Sequence, residues 1–175
     1  MPSYSLNTTQ LREYAPKLRA GDRVLLSGTV YTARDAAHKR LVNMLAKGEQ
    51  FPFDLNDACI YYAGPTPAAP GMPIGSCGPT TSGRMDTYAP RLLDAGLCAM
   101  IGKGGRSEDV CKAIERNSAV YFCAIGGAGA LYAGCVKSCE VLAFDDLGCE
   151  SVKRLELSDF PVIVGIDCVG GSLFK

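Results

Sequence analysis

Four times along this chain a short apolar run ends in a turn rich in glycine or hydroxyl residues that opens onto a helical pattern. That repeated order of strand, tight turn and helix restricts the fold to the α/β class. Residues 23–32 (RVLLSGTVYT) read as a strand, and residues 35–47 as a helix with Ala37, Leu41 and Leu45 along one face and Gly48 at its end. A second strand over 59–63 runs into the proline-rich stretch 64–73, an extended loop because proline has no amide hydrogen for a ladder. Residues 78–84 then lead into a helix ending at Ala95. A strand over 97–102, a loop over 103–106 and a helix over 108–117 follow. The strand over 119–125 feeds Gly126-Gly-Ala-Gly129 and a helix to Val136, after which 140–144, 152–157 and 161–167 read as strands. Ahead of all these, residues 9–19 space Leu11, Tyr14, Ala15 and Leu18 as an amphipathic helix that Gly21-Asp22 breaks. No internal linker interrupts the pattern, so one domain is expected over residues 1–175.

Eighteen basic residues balance eighteen acidic ones without a long run of either sign, which argues against a nucleic-acid face. The apolar stretches are short, and residues 1–20 carry acids and an early proline where a secretory segment needs an apolar core. A soluble, cytoplasmic protein without a membrane segment is therefore expected. The nine cysteines contain no CxxC pair, the nearest being Cys135 and Cys139, and His38 is the sole histidine. Such spacing gives no ligand set for zinc or an iron–sulfur cluster, so no metal residues are expected in this chain. Most of the thiols instead read as small buried hydrophobes in a reducing compartment.

Ligands of α/β sheets sit beyond the carboxyl ends of strands, where turns meet helix N-termini. Three of the four junctions carry a cation there: Arg34, Arg84 and Lys103, the last with Arg106 close behind. Each runs against the partial positive charge of a helix start, a penalty of about 0.3–1 kcal/mol. Either each cation is simply solvated or paired with a neighbouring Asp35, Asp86 or Glu108, or the group holds an anion such as a small dicarboxylate or a phosphate. Familiar phosphate loops fail. Gly96 to Lys103 has five residues between its glycines where a Walker A loop has four, and Gly104 replaces the magnesium-binding hydroxyl. Gly126-Gly-Ala-Gly-Ala-Leu lacks the last glycine of a dinucleotide fingerprint, and close strand-to-helix packing explains it as well. His38 lies four residues beyond Arg34 on one helix face, either as a solvated or hydrogen-bonded residue or as a neighbour of the site. Thr80, Thr81 and Ser82 offer three hydroxyls where a helix cap needs one.

These loops resemble the beta subunit, or C-terminal domain, of class I fumarases and their L(+)-tartrate dehydratase relatives. The resemblance is carried by Arg34-Asp-Ala-Ala-His38-Lys-Arg40, Tyr62-Ala-Gly64-Pro65, Gly78-Pro-Thr-Thr-Ser-Gly-Arg-Met-Asp86, Ile101-Gly-Lys-Gly104, Gly126-Gly127-Ala128 and Asp146-Leu-Gly148. It implies a swivelling β/β/α domain packed on an alpha subunit that holds a [4Fe–4S] cluster with one open iron acting as Lewis acid. An alpha2beta2 assembly is the form such chains are expected to take. The resemblance further implies Thr80 as the base at C3 of malate, with Arg34, Arg84, Lys103 and Thr81 binding the substrate. His38, Gly78 and Ser82 would stand behind them. A threonine is a weak base, and only surrounding cations make the role chemically reasonable. The expected reaction is hydration of fumarate to L-malate, with tartrate or mesaconate as alternative substrates. A stand-alone anion-binding module without catalysis is the alternative of a different class.

Overall fold

A computed structural model describes residues 1–174. Seven strands form one mixed sheet: β1 (Ser3–Asn7), β2 (Arg23–Thr32), β3 (Cys59–Tyr61), β4 (Ala99–Gly102), β5 (Val120–Cys123), β6 (Val136–Ala143) and β7 (Val152–Ile166). Their order is β1-β2-β3-β4-β5-β7-β6, and β2 also pairs with β7, so β2, β3, β4, β5 and β7 close into a barrel-like ring. The helices are α1 (Leu11–Tyr14), α2 (Asp35–Lys47), α3 (Ala89–Asp94), α4 (Glu108–Arg116) and α5 (Gly129–Gly134). The α/β expectation holds.

Side chains alternate across a strand, and the three short central strands use both faces. Cys59, Tyr61, Ala99, Ile101, Val120 and Phe122 pack into the interior of the ring with Leu26, Leu155 and Phe160. Ile60, Met100 and Tyr121 face outward and are covered by Leu41 of α2, Leu92 of α3 and Ile114 of α4. Strands buried on both faces need no polar alternation, which is why 59–63 and 97–102 read as unbroken apolar runs.

Several boundaries differ from the sequence reading. The helix expected over 9–19 is a 3₁₀ turn, Thr8–Gln10, followed by the four residues of α1; Ala15 still has helical backbone, and Pro16, which has no amide hydrogen, cannot continue the ladder. The helix expected to start after Arg84 divides into a 3₁₀ turn at Ser82–Met85 and α3, which begins at Ala89 beside Pro90. Proline suits a first helical turn and cannot sit inside one. The strand expected at 140–144 begins at Val136, directly after α5. The two last strands are one, β7, which continues past Asp159 (φ 51°) while its partners change from β6 to β5.

The parallel pairings β2 with β3, β3 with β4 and β4 with β5 place the carboxyl ends of four strands along one rim. Arg34, Gly64, Lys103 and Gly126 all follow those ends within a few residues.

Candidate functional site

Arg34 is the residue before α2, in extended backbone (φ −108°, ψ −166°), and its side chain does not cap the helix. It runs past Gly64, where a Cβ would lie 3.1 Å from its Cδ and 3.2 Å from its Nη1. Glycine after β3 thus lets the arginine pass closely over that loop, where a side chain would make it shift by a few tenths of an ångström. The Nε stands 3.4 Å from the Glu150 carboxylate and 3.9 Å from Asp35, within ion-pair range but not aligned for a hydrogen bond. Among the described residues, the buried side-chain polar atoms without a partner are Arg34 Nε, Asp35 Oδ1 and His38 Nε2. All three belong to the start of α2, and buried polar groups are otherwise nearly always bonded.

His38 is fully buried, with its Nδ1 2.8 Å from the Arg34 carbonyl oxygen. A carbonyl only accepts, so Nδ1 carries the hydrogen and Nε2 presents a lone pair. Burial holds its pKa down to about 4, assisted by the Arg106 cation and opposed by the Arg34 carbonyl and Asp35. The imidazole therefore meets Arg34 through the main chain, and it lies edge-on to the Tyr62 ring at 5.3 Å.

The segment 80–82 is laid between the ends of β3 and β4. The Thr80 amide donates to the Tyr62 carbonyl at 2.7 Å, the Ser82 amide donates to the Lys103 carbonyl at 2.9 Å, and Thr81 bridges Lys103 in parallel register. Ser82 does not cap a helix. Its hydroxyl is buried 2.8 Å from that of Tyr121. Thr81 precedes the 3₁₀ turn without a side-chain cap, and among the described residues neither threonine hydroxyl has an intramolecular partner. Lys103 and Arg84 likewise form no ion pair among the described residues. Arg84 is exposed on the 3₁₀ turn, while the Lys103 side chain lies along Gly126, where a Cβ would sit 3.5 Å from its Nζ. Gly78 lies behind the rim, passing close to Gly129.

Arg106 departs from the other cations. Its side chain is fully buried, bonded through Nε to Asp86 at 2.7 Å and through Nη2 to the Tyr62 hydroxyl at 3.1 Å, and stacked between the rings of Tyr62 and Tyr121. The second Asp86 oxygen accepts the Ser107 amide at 2.7 Å. Asp86 therefore anchors the loop that follows β4. For Arg106 the ion-pair alternative is the correct one; Arg34 is ion-paired with Asp35 and Glu150 but without a hydrogen bond from its Nε, and Arg84 and Lys103 form no ion pair among the described residues.

Sequence reasoning did not find Glu150 or Lys153. Lys153 Nζ donates to the Ser151 hydroxyl at 2.7 Å and to the Cys149 carbonyl at 3.0 Å, and Arg40 grips Asp146 with two bonds at 2.8 and 2.6 Å. Together they fix the turn Asp145–Glu150 that carries Glu150 to Arg34. Nothing in a local pattern links position 150 to position 34. The Asp146-Leu-Gly148 run was the one trace of it.

Of the cysteines, Cys59, Cys77 and Cys98 are buried as expected, with burial raising Cys98 to about 11 and Cys77 to about 12. Cys149 is exposed and the other five are partly buried, so the expectation of buried thiols holds for only part of the set. Among the described residues no three His, Cys, Asp or Glu side chains converge as metal ligands. Among the described residues no helix is long and apolar enough to cross a membrane.

The family model described as "Fumarase C-terminus" matches residues 3–175. A protein of Methanocaldococcus jannaschii provisionally named L(+)-tartrate dehydratase subunit beta is 41% identical over 165 residues, covering 91% of this chain and 85% of its own length. The aerobic class I fumarate hydratase of Escherichia coli is 39% identical over 155 residues, 87% of this chain. Fumarate hydratase 2 of Leishmania major is 36% identical over 168 residues, 95% of this chain. The chain spans only 28% and 30% of these two longer relatives. On the match over nearly all its residues and on the near-complete coverage of a separate beta subunit, the chain belongs to the fumarase C-terminal family, whose related hydro-lyases are class I fumarate hydratases and tartrate dehydratase beta subunits.

Proposed function

We propose that this chain is the beta subunit of a hydro-lyase that interconverts fumarate and L-malate, a swivelling domain that completes a site shared with an alpha subunit in an alpha2beta2 assembly. One observation carries the reading: the Arg34 guanidinium keeps a buried Nε without a hydrogen-bond partner among the described residues, on the same rim as Lys103 and the hydroxyls of Thr80 and Thr81, which likewise have no side-chain partner among those residues. A buried donor left open is unfavourable by about 1–3 kcal/mol unless a ligand supplies an acceptor. Arg34 and Lys103 follow strands two spacings apart, roughly 10 Å, a gap their side chains reach across from either side.

In this reading Arg34 and Arg84 clamp the two carboxylates with charge-assisted bonds, and Lys103 and Thr81 complete the grip. Thr80 exchanges the proton at C3 of malate. A hydroxyl does so only where its deprotonated form is stabilised, and Lys103 and the arginines are the cations available for that. The [4Fe–4S] cluster is assigned to the alpha subunit, and the elements supplied by this chain are carboxylate binding and the C3 proton.

L(+)-tartrate is the second reading, favoured by the name and coverage of the Methanocaldococcus relative. Anaerobic co-expression with the alpha-type partner chain, followed by assays on fumarate, malate, tartrate and mesaconate, separates them. Turnover of fumarate and malate above the others is expected. A complex that turns over none of the four would leave the anion-binding module as the reading.

A further inference from the structure

Two hydroxyls beneath the rim have no part in gripping a carboxylate. Ser82 and Tyr121 are both fully buried, and a hydroxyl is kept from water only where it is bonded. The Tyr121 hydroxyl lies 2.8 Å from the Gly104 carbonyl and 2.8 Å from Ser82 Oγ. Because a carbonyl only accepts, Tyr121 donates to Gly104 and receives the hydrogen of Ser82. The direction of the chain is thereby fixed, from Ser82 through Tyr121 to Gly104.

Space for this chain is made by Gly102, where a Cβ would stand 1.9 Å from Ser82 Oγ and 2.8 Å from Tyr62. The phenol is held in place from its face by Arg106, whose guanidinium carbon is 4.9 Å from the Tyr121 ring centroid while its Nε is fastened to Asp86. Burial also keeps the phenol protonated by raising its pKa. The segment bearing Thr80 and the loop bearing Lys103 are consequently tied twice, by the main-chain bond from Ser82 to Lys103 and by the phenol.

We propose that Tyr121 is a positioning residue that sets Thr80 against Lys103 through Ser82 and Gly104, and so governs turnover more than substrate affinity. This inference rests on the hydro-lyase reading. A proton-transfer group displaced by about 1 Å loses on the order of 10²-fold in rate, whereas carboxylate binding by Arg34, at the start of α2, does not pass through the phenol.

The test uses Tyr121→Phe, Ser82→Ala and the double variant, each assayed in the complex with the partner chain and normalised to the folded fraction. Each single variant is expected to lower kcat roughly 10- to 100-fold with KM within about threefold, and the malonate inhibition constant should stay at its wild-type value. The double variant should be no slower than the slower single one, since both changes break one chain. A kcat within about twofold of wild type, or losses in the two variants that multiply, overturns the proposal. A second arm needs no turnover. Hydrogen exchange of the isolated chain should be at least about tenfold faster at residues 103–105 in Tyr121→Phe, with α2 unchanged. Wild-type exchange at those residues overturns the tether. An inactive wild-type complex sinks the hydro-lyase reading by itself, and the exchange arm then decides whether Tyr121 holds the loop.

Discussion

His38 gives a quantitative handle on the start of α2, because it is the sole imidazole of the chain and is fully buried. Its pKa stands at about 4 in the folded protein against 6.5 for an exposed histidine, with burial as the largest cause. Above pH 6.5 both folded and unfolded chains carry it neutral. Below that, the unfolded chain takes up a proton that the folded chain refuses, so stability is lost as pH falls from 6.5 towards 4. A difference of about 2.5 units at 1.36 kcal/mol each corresponds to roughly 3 kcal/mol across that window. The measurement is urea unfolding of wild type and His38→Gln at intervals from pH 8 to pH 4, read as the difference between the two proteins so that common carboxylate effects cancel. The wild type should lose stability relative to the variant by about 1.4 kcal/mol per pH unit below 6.5. The imidazole Hε1 resonance should meanwhile stay at its neutral position down to about pH 5. A resonance that titrates near 6.5 in the folded chain would refute the assignment of a dry, neutral ring bonded through Nδ1 to Arg34, and with it the argument that α2 begins on a fixed scaffold.

Thr80→Ala is expected to lower kcat by roughly 10²- to 10⁴-fold with little change in KM, measured in the complex with the partner chain. Normal turnover would remove Thr80 from the chemistry. Arg34→Ala or Arg84→Ala should weaken malonate binding by about 1.5–3 kcal/mol in calorimetry, and Arg84→Lys should restore only part of it because an ammonium lacks the planar fork. Changing both Cys135 and Cys139 to Ser should leave activity per folded complex nearly intact, since both are partly buried residues packed against the core and the Cys135 thiol meets only the Leu131 and Asp159 carbonyls at 3.7 and 3.9 Å. Loss of iron from the complex in that double variant would show a ligand role instead.

What could be read from sequence followed from how local the cause was. β2 and α2 were legible to the residue because their signals are adjacent: an apolar run, a charged turn, and Gly48 accepting a left-handed backbone at φ 64°. β1 was missed because only Leu6 of its five residues is buried, so there is no alternation to see; its pairing with β2 is what makes it a strand. The same distinction divides the cations. Their positions at strand ends were legible, but whether each was free depended on groups brought by the fold. Asp86 sits 20 residues before Arg106 and Glu150 sits far beyond Arg34. The buried ion pair at Arg106 and the open Nε at Arg34 look alike as sequence, since both are arginines just past a strand. They differ because two tyrosine rings close over one, while a glycine at 64 leaves a passage for the other. A cation whose partner is distant in sequence is therefore the place where a candidate site must be argued from geometry, and here that geometry separates one anchor from three groups with donors to offer.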